Sequence, residues 1–268
     1  MKRARTMAVT VAAMLAVAAG APAIAVAQTA AAKPAIDTAA VNALNKMGEY
    51  LRALKAFQLS ADVTHEEVMP DGQKIQLAST VNLIAERPEH LRADVTSDAK
   101  KRVFVYDGKT FTLFAPRSAM YATVPAPATI AELADSLESK FDIELPLVDL
   151  FRWGTEKSNA KDLTGAIDVG PAVIEGTTCE HYAFRQDGID WQIWIQNGEF
   201  PLPRKLVITT LTDEARPQHE SVYSWNLAPS VSADAFAFVP PDGATKIAII
   251  DVAHARELLK KQKSGGSQ

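Results

Sequence analysis

The sequence predicts an α+β fold: a strongly curved antiparallel sheet, an incomplete β-barrel, with an N-terminal helix and a helical lid insertion on the concave side. Three observations predict it. Residues 57–124 carry six short runs of alternating apolar and polar residues, separated by turn signals such as Pro70-Asp71-Gly72 and Asp107-Gly108-Lys109. A second set of alternating runs fills residues 166–226. Between them, residues 125–153 abandon the period of 2 for helical spacing.

Asp37 is placed as an N-cap, and Ala40, Leu44, Met47, Leu51 and Leu54 form one apolar stripe on a helix running to about Ala56. Phe57, Leu59, Ala61 and Val63 then alternate with Gln58, Ser60, Asp62 and Thr64. Ile75 to Leu83 continues on a second strand, and Arg87-Pro88 breaks it. Leu91 to Val95, Val103 to Tyr106, Thr110 to Phe114 and Met120 to Val124 complete a six-stranded meander. Pro125 to Phe141 reads as a helix with Ile130, Leu133, Leu137 and Phe141 on one side, and Leu145 to Trp153 as a short helix or buried loop. Strands follow over Ala166–Ile174, Thr178–Gln186, Ile189–Gln196, Lys205–Leu211 and Gln218–Asn226. Phe236–Val239 and Lys246–Ile249 are expected to close the sheet, Val252–Lys260 to form a terminal helix, and residues 263–268 a flexible tail. Residues 37–262 read as a single domain, with neither a linker nor a fixed repeat.

The ends and composition bound where such a chain works. Lys2, Arg3 and Arg5 precede an apolar run from Met7 to Gly20, and Ala25-Val26-Ala27 offers a small-residue cleavage site. This is the pattern of a signal peptide cut after Ala27, leading into a disordered spacer over 28–36. An uncleaved membrane anchor is the rival reading, but Gly20 and Pro22 interrupt the run. No cysteine near the site marks a lipid anchor, and Ala4 separates Arg3 from Arg5, which argues against a twin-arginine signal. Cleavage would take the formal net charge from −4 to −7. That acidic balance gives no electrostatic case for binding nucleic acid. Cys179 is the lone cysteine, so the fold relies on its core and not on a disulfide.

Chemistry-bearing residues are sparse. Cys179 and His181 share a strand face at i and i+2, but no third group or oxyanion site accompanies them, so Cys179 is expected to be a small core residue. His65, His90, His181, His219 and His254 show no metal-ligand spacing, and no metal or cofactor is expected. Neither a nucleophile elbow nor a phosphate-binding loop is present in the sequence. Trp191 and Trp194, three apart on a strand, are expected on opposite faces, one in the core and one at a rim.

The Arg87-Pro88-x-x-Leu91-Arg92 strand entry, the Tyr106-Asp107-Gly108-Lys109 turn, the Phe114-Ala115-Pro116 strand end and Pro201-Leu202-Pro203-Arg204-Lys205 resemble the periplasmic lipoprotein-carrier fold of the LolA and LolB type. Over nearly the whole chain the sequence more specifically resembles the predicted periplasmic proteins of domain of unknown function 2092. That resemblance is carried by Leu145-Pro146-Leu147-Val148-Asp149-Leu150-Phe151, His181-Tyr182-Ala183-Phe184-Arg185-Gln186 and Asp190-Trp191-Gln192-Ile193-Trp194-Ile195. It implies a half-barrel whose concave face holds acyl chains beneath a helical lid, but brings no activity with it. The arginine found inside the carriers' barrel has Arg92 as its nearest counterpart by position.

The reading that follows is a non-enzymatic periplasmic binding or carrier protein, a monomer, holding a lipid or other apolar ligand. Phe57, Leu59, Leu77, Leu83, Leu91, Phe104, Phe111, Trp191, Ile193 and Ile195 are the expected cavity lining. Ile130, Leu133, Leu137, Phe141, Leu147, Phe151 and Trp153 are the expected lid. A strand slip of one residue would flip the lining set. The alternatives are an envelope interaction or scaffold module with a self-plugged cavity and an envelope protein as partner, and a hydrolase assembled from distant residues.

Overall fold

The computed structural model describes residues 36–155, 159–232 and 234–253. The signal-peptide, spacer and tail readings lie outside these residues, as does all but the start of the expected terminal helix. Helix α1 (Thr38–Ala53) begins where Asp37 accepts a 2.7 Å hydrogen bond from the Ala39 amide. It buries the stripe Ala40, Leu44, Met47 and Leu51. The first meander follows as β1 (Ala56–Val68), β2 (Lys74–Glu86), β3 (His90–Ser97), β4 (Lys101–Asp107), β5 (Thr110–Ala115) and β6 (Met120–Pro125). Then come α2 (Ile130–Phe141) and the single turn α3 (Asp149–Arg152). The second meander is β7 (Gly165–Ile174), β8 (Thr177–Gln186), β9 (Ile189–Gln196), β10 (Pro203–Thr210) and β11 (Gln218–Asn226). A two-residue strand, β12 (Thr245–Lys246), pairs in parallel with β6.

Among the described residues, all twelve strands form one curved sheet in the order β12-β6-β5-β4-β3-β2-β1-β11-β10-β9-β8-β7, not closed into a barrel. Each meander is a run of neighbours in sequence, the arrangement that short turns enforce. Glu175 and Gly176 both take positive φ between β7 and β8, the geometry of the tight hairpin turn whose twist matches the strands. The two meanders meet through β1 and β11, which pair antiparallel from Gln58↔Asn226 to His65↔His219.

Helix α2 starts five residues later than its apolar pattern implies. Pro125 and Pro127 hold the residues before them extended, and the buried Tyr106 hydroxyl donates a 2.5 Å bond to the Pro127 carbonyl. The helix begins at a capping box in which Thr129 accepts from the Glu132 amide and its own hydroxyl bonds to the Glu132 carboxylate. It ends at Asp142, in the left-handed conformation.

Phe236–Val239 is not a strand. Its alternating phenylalanines mimic one, but Pro240 and Pro241 supply no amide donors for a ladder. The segment instead crosses the outer face of β3–β6. There Phe236 stacks on His90 at 5.1 Å, and Phe238 packs on Phe114 and Tyr121. This strap is why Val103, Val105 and Thr112 are buried although they point outward. Of Lys246–Ile249, only Lys246 joins the sheet, in β12.

Gly48 sets how closely α1 approaches the Trp153–Gly154 turn. A Cβ there would lie 2.6 Å from the Gly154 amide nitrogen, closer than real contacts allow. In an isolated helix Gly→Ala is favourable by about 0.5–1 kcal/mol. Here the backbone clash reverses the sign, and Gly48→Ala is expected to lower stability by about 1–3 kcal/mol in urea denaturation. A variant as stable as the parent would show that this packing does not form.

Candidate functional site

Strand register lays the concave side chains out in rows. One row runs Trp225, Leu59, Leu83, Ala93, Phe104, Leu113 and Ala122, and the row beyond it Phe57, Ala85, Leu91, Tyr106, Phe111 and Val124. On the other side of the first lies Tyr223, Ala61, Val81, Val95 and Arg102, followed by Leu206, Ser221, Val63, Ser79 and Ser97. The helices cover the first two rows. Phe57, Leu83, Leu91, Tyr106 and Phe111 are wholly buried, and Phe57 packs on Phe151 of α3 and on Trp225 at 6.0 and 5.4 Å.

The latter two rows open onto a cavity of about 460 Å³. Val63, Val81, Val95, Phe104, Leu206 and Ile208 make its apolar wall, and residues 144–149 roof it. Its polar groups are Arg102, Glu144, Asp149, His219, Ser221 and Tyr223. His219, Ser221 and Tyr223 alternate along β11 and so share the concave face, where the His219 ring nitrogen lies 3.1 Å from the Ser221 hydroxyl.

Burial sets the charge state of these groups. It pushes the Asp149 carboxyl up, nearby Glu144 adds to the shift, and Arg152 opposes it. It pushes the His219 imidazole down, with His65 adding to the effect. The Tyr223 phenol is likewise pushed up, chiefly by burial and then by Asp149. Imidazole and phenol are therefore neutral at neutral pH, which keeps the wall weakly polar.

A hydrolytic pair needs an accessible nucleophile and a third group to orient the base. Ser221 is completely buried, and among the described residues no carboxylate hydrogen-bonds His219. The pair therefore reads as a self-satisfied polar contact in the wall. Cys179 and His181 lie on the opposite, outer face. Burial pushes the Cys179 thiol up, away from the thiolate, while His181 stacks flat on Trp194 at 4.0 Å. Among the described residues no cluster of three or more His, Cys, Asp or Glu side chains is placed to hold a metal ion. A shallower depression of about 630 Å³ is lined mainly by Asp62, Thr64, Thr80, Thr96, Ser97 and Asp98 and lacks the apolar wall.

All ten residues expected to line a cavity occupy concave register positions, but only Phe104 borders this one. Phe57, Leu59, Leu83, Leu91 and Phe111 are covered by the protein's own packing, and Trp191, Ile193 and Ile195 are buried with β8 and β10. Leu77 lies near the strand ends and is 37% exposed. Of the expected lid, Leu147 borders the cavity. Ile130, Leu133, Leu137, Phe151 and Trp153 are buried as a plug, and Phe141 packs at its margin. Trp191 is buried on the concave side and Trp194 is half-buried on the outer one.

Arg92 is not an interior arginine. It alternates outward from Leu91 and Ala93 and forms a 2.9 Å ion pair with Asp94, an outcome its strand phase encodes. The arginines reaching the concave side are Arg102, at the cavity, and Arg87. The Arg87 guanidinium lies 5.0 Å over the Phe151 ring and donates to the Leu150 carbonyl at 3.4 Å. Its Nε has no partner among the described residues, and burial lowers its pKa from the ordinary value.

Among solved structures, the chain is similar to an uncharacterized conserved protein from Thermus thermophilus (10% identity, 78% of this chain and 99% of that one, TM-score 0.44). It is also similar to LprF from Mycobacterium bovis (13% identity, 78% and 99%, TM-score 0.43). A third likeness is to the LolA superfamily protein NE2245 from Nitrosomonas europaea (12% identity, 74% and 97%, TM-score 0.36). A search of curated proteins gave no match. Among the described residues, no helix is long and apolar enough to cross a membrane. A family model described as predicted periplasmic protein, DUF2092, matches residues 40–250, and the chain belongs to that family.

Proposed function

We propose that the protein is a non-enzymatic periplasmic binding or carrier protein that holds an apolar ligand, such as a lipid acyl chain, in the cavity between the concave face and residues 144–149. The observation that carries this reading is an apolar wall left uncovered by the protein's own helices, with a volume in the range of small-molecule sites, about 300–1,000 Å³. Burial of an acyl chain contributes about 0.8 kcal/mol per methylene. A chain of 12–16 carbons would thus yield about 10–13 kcal/mol before ordering costs. The signal-peptide pattern of the first 27 residues and the family's description both support a periplasmic setting. The lid in this reading is the 144–149 segment, with α2 and α3 as its fixed base.

Ile208 is half-buried at the cavity wall, where a larger ring fills the space without displacing the core. Ile208→Trp is expected to weaken binding of a fluorescent fatty acid at least tenfold while the melting temperature and far-ultraviolet circular dichroism stay unchanged. Undiminished binding by a folded variant would remove the cavity from the account.

Asp149 gives a pH signature. Its folded pKa lies above the unfolded value of about 3.9, so the folded state holds the extra proton, and the carboxyl costs stability as pH rises through the raised pKa. Asp149→Asn is expected to melt higher than the parent at pH 7, with the difference closing below pH 4. A variant that melts lower at pH 7 would mean that the charged carboxylate is stabilised where it sits.

A further inference from the structure

We infer that the cavity selects one unbranched chain, so that the ligand is a single-chain amphiphile and not a two- or three-chain lipid. This rests on the proposed function and narrows it. The first ground is shape. The lining runs across six neighbouring strands, from Leu206 on β10 to Phe104 on β4. At about 4.8 Å per strand spacing, that arc is about 24 Å long. Across its middle, β1, β2 and β3 contribute one side chain each: Val63, Val81 and Val95. The space is long and one row wide, which suits a linear chain better than a compact ring system.

The second ground is volume. A methylene takes up about the room of a water molecule, roughly 30 Å³ in the liquid, so the cavity is filled by about fifteen of them. A second chain would need about as much room again.

The third ground is that the floor is fixed. Leu145, Val148 and Tyr223 close the inner end and are buried. Behind them stands the Phe57–Phe151–Trp225 aromatic group. The roof is one short stretch whose start is held by the Ile143 amide on the Leu137 carbonyl, and α3 beyond it is tied to α2 by the Arg152–Glu138 ion pair. Admitting a second chain would require lifting these helices from the core. Arg102, Glu144 and His219 supply the polar groups beside which a single headgroup would remain.

The test uses the full chain exported to the periplasm, delipidated and loaded with a fluorescent fatty acid. Palmitate, palmitoyl-lysophosphatidylcholine, dipalmitoyl phosphatidylglycerol, a tripalmitoylated peptide and cholesterol are then added as competitors. Both single-chain competitors are expected to displace the probe at a stoichiometry of one. The two-chain and three-chain lipids and the sterol are expected to be at least tenfold weaker. If the diacyl or triacyl lipid, or the sterol, competes as well as palmitate, single-chain selection is overturned while the carrier reading stands. If the fluorescent fatty acid never binds, the carrier reading itself fails and this inference falls with it.

Discussion

The pairing of β1 on both its edges is the constraint on which the rest of the structure depends. β1 is bonded along its whole length to β2 and, from Gln58 to His65, to β11. Because side chains alternate, the choice that turns Phe57, Leu59, Ala61 and Val63 inward fixes the phase of both meanders at once. It places Trp225, Tyr223 and Ser221 on the concave side of one, and Ala85, Leu83 and Val81 on that of the other. A slip of one residue in either register would put polar residues such as Asp62 and Ser60 against the helices.

A sheet this broad presents more apolar surface than a few short helices can cover. α1, α2 and α3 lie over the rows that contain Phe57 and Leu59, where side chains are wholly buried. They stop short of the rows that contain Val63 and Val81, and that shortfall is the cavity. The same helices define both what is plugged and what is open. A self-plugged scaffold and a ligand-binding half-barrel thus describe two parts of one concave face. The proposed function assigns the ligand to the open part only.

The sheet was legible because alternation and turn residues are local signals. Phe57-Gln58-Leu59-Ser60 and Asp107-Gly108-Lys109 need no tertiary information to be read. Thr129 with Glu132 marked the start of α2, but the apolar stripe and prolines upstream of it masked that signal. The outer strap was misread because Phe236 and Phe238 alternate as a strand does, and only Pro240 and Pro241 argue otherwise. The cavity was the least legible part. Which concave residues face helices and which face open space depends on where the helices end, and no periodicity records that. The alternation of His219, Ser221 and Tyr223 was visible on β11, and Asp149 stood out as a charge in an apolar block. Neither signal shows that the two meet across the same space. Arg92 was legible as an outward residue from its position between Leu91 and Ala93, and family position misled where strand phase did not.

The central claim is that an apolar chain occupies the space between Phe104 and Leu206 beneath residues 144–149. A crystal structure of the protein with a terminally brominated fatty acid tests it most directly, because anomalous scattering locates the bromine without bias from the chain trace. The account predicts one bromine peak inside that cavity, within contact distance of the Val63, Val81 and Leu206 side chains. A peak beneath α1 or α2 among Phe57, Leu91 and Phe111, or only on the outer face of the sheet, would contradict it.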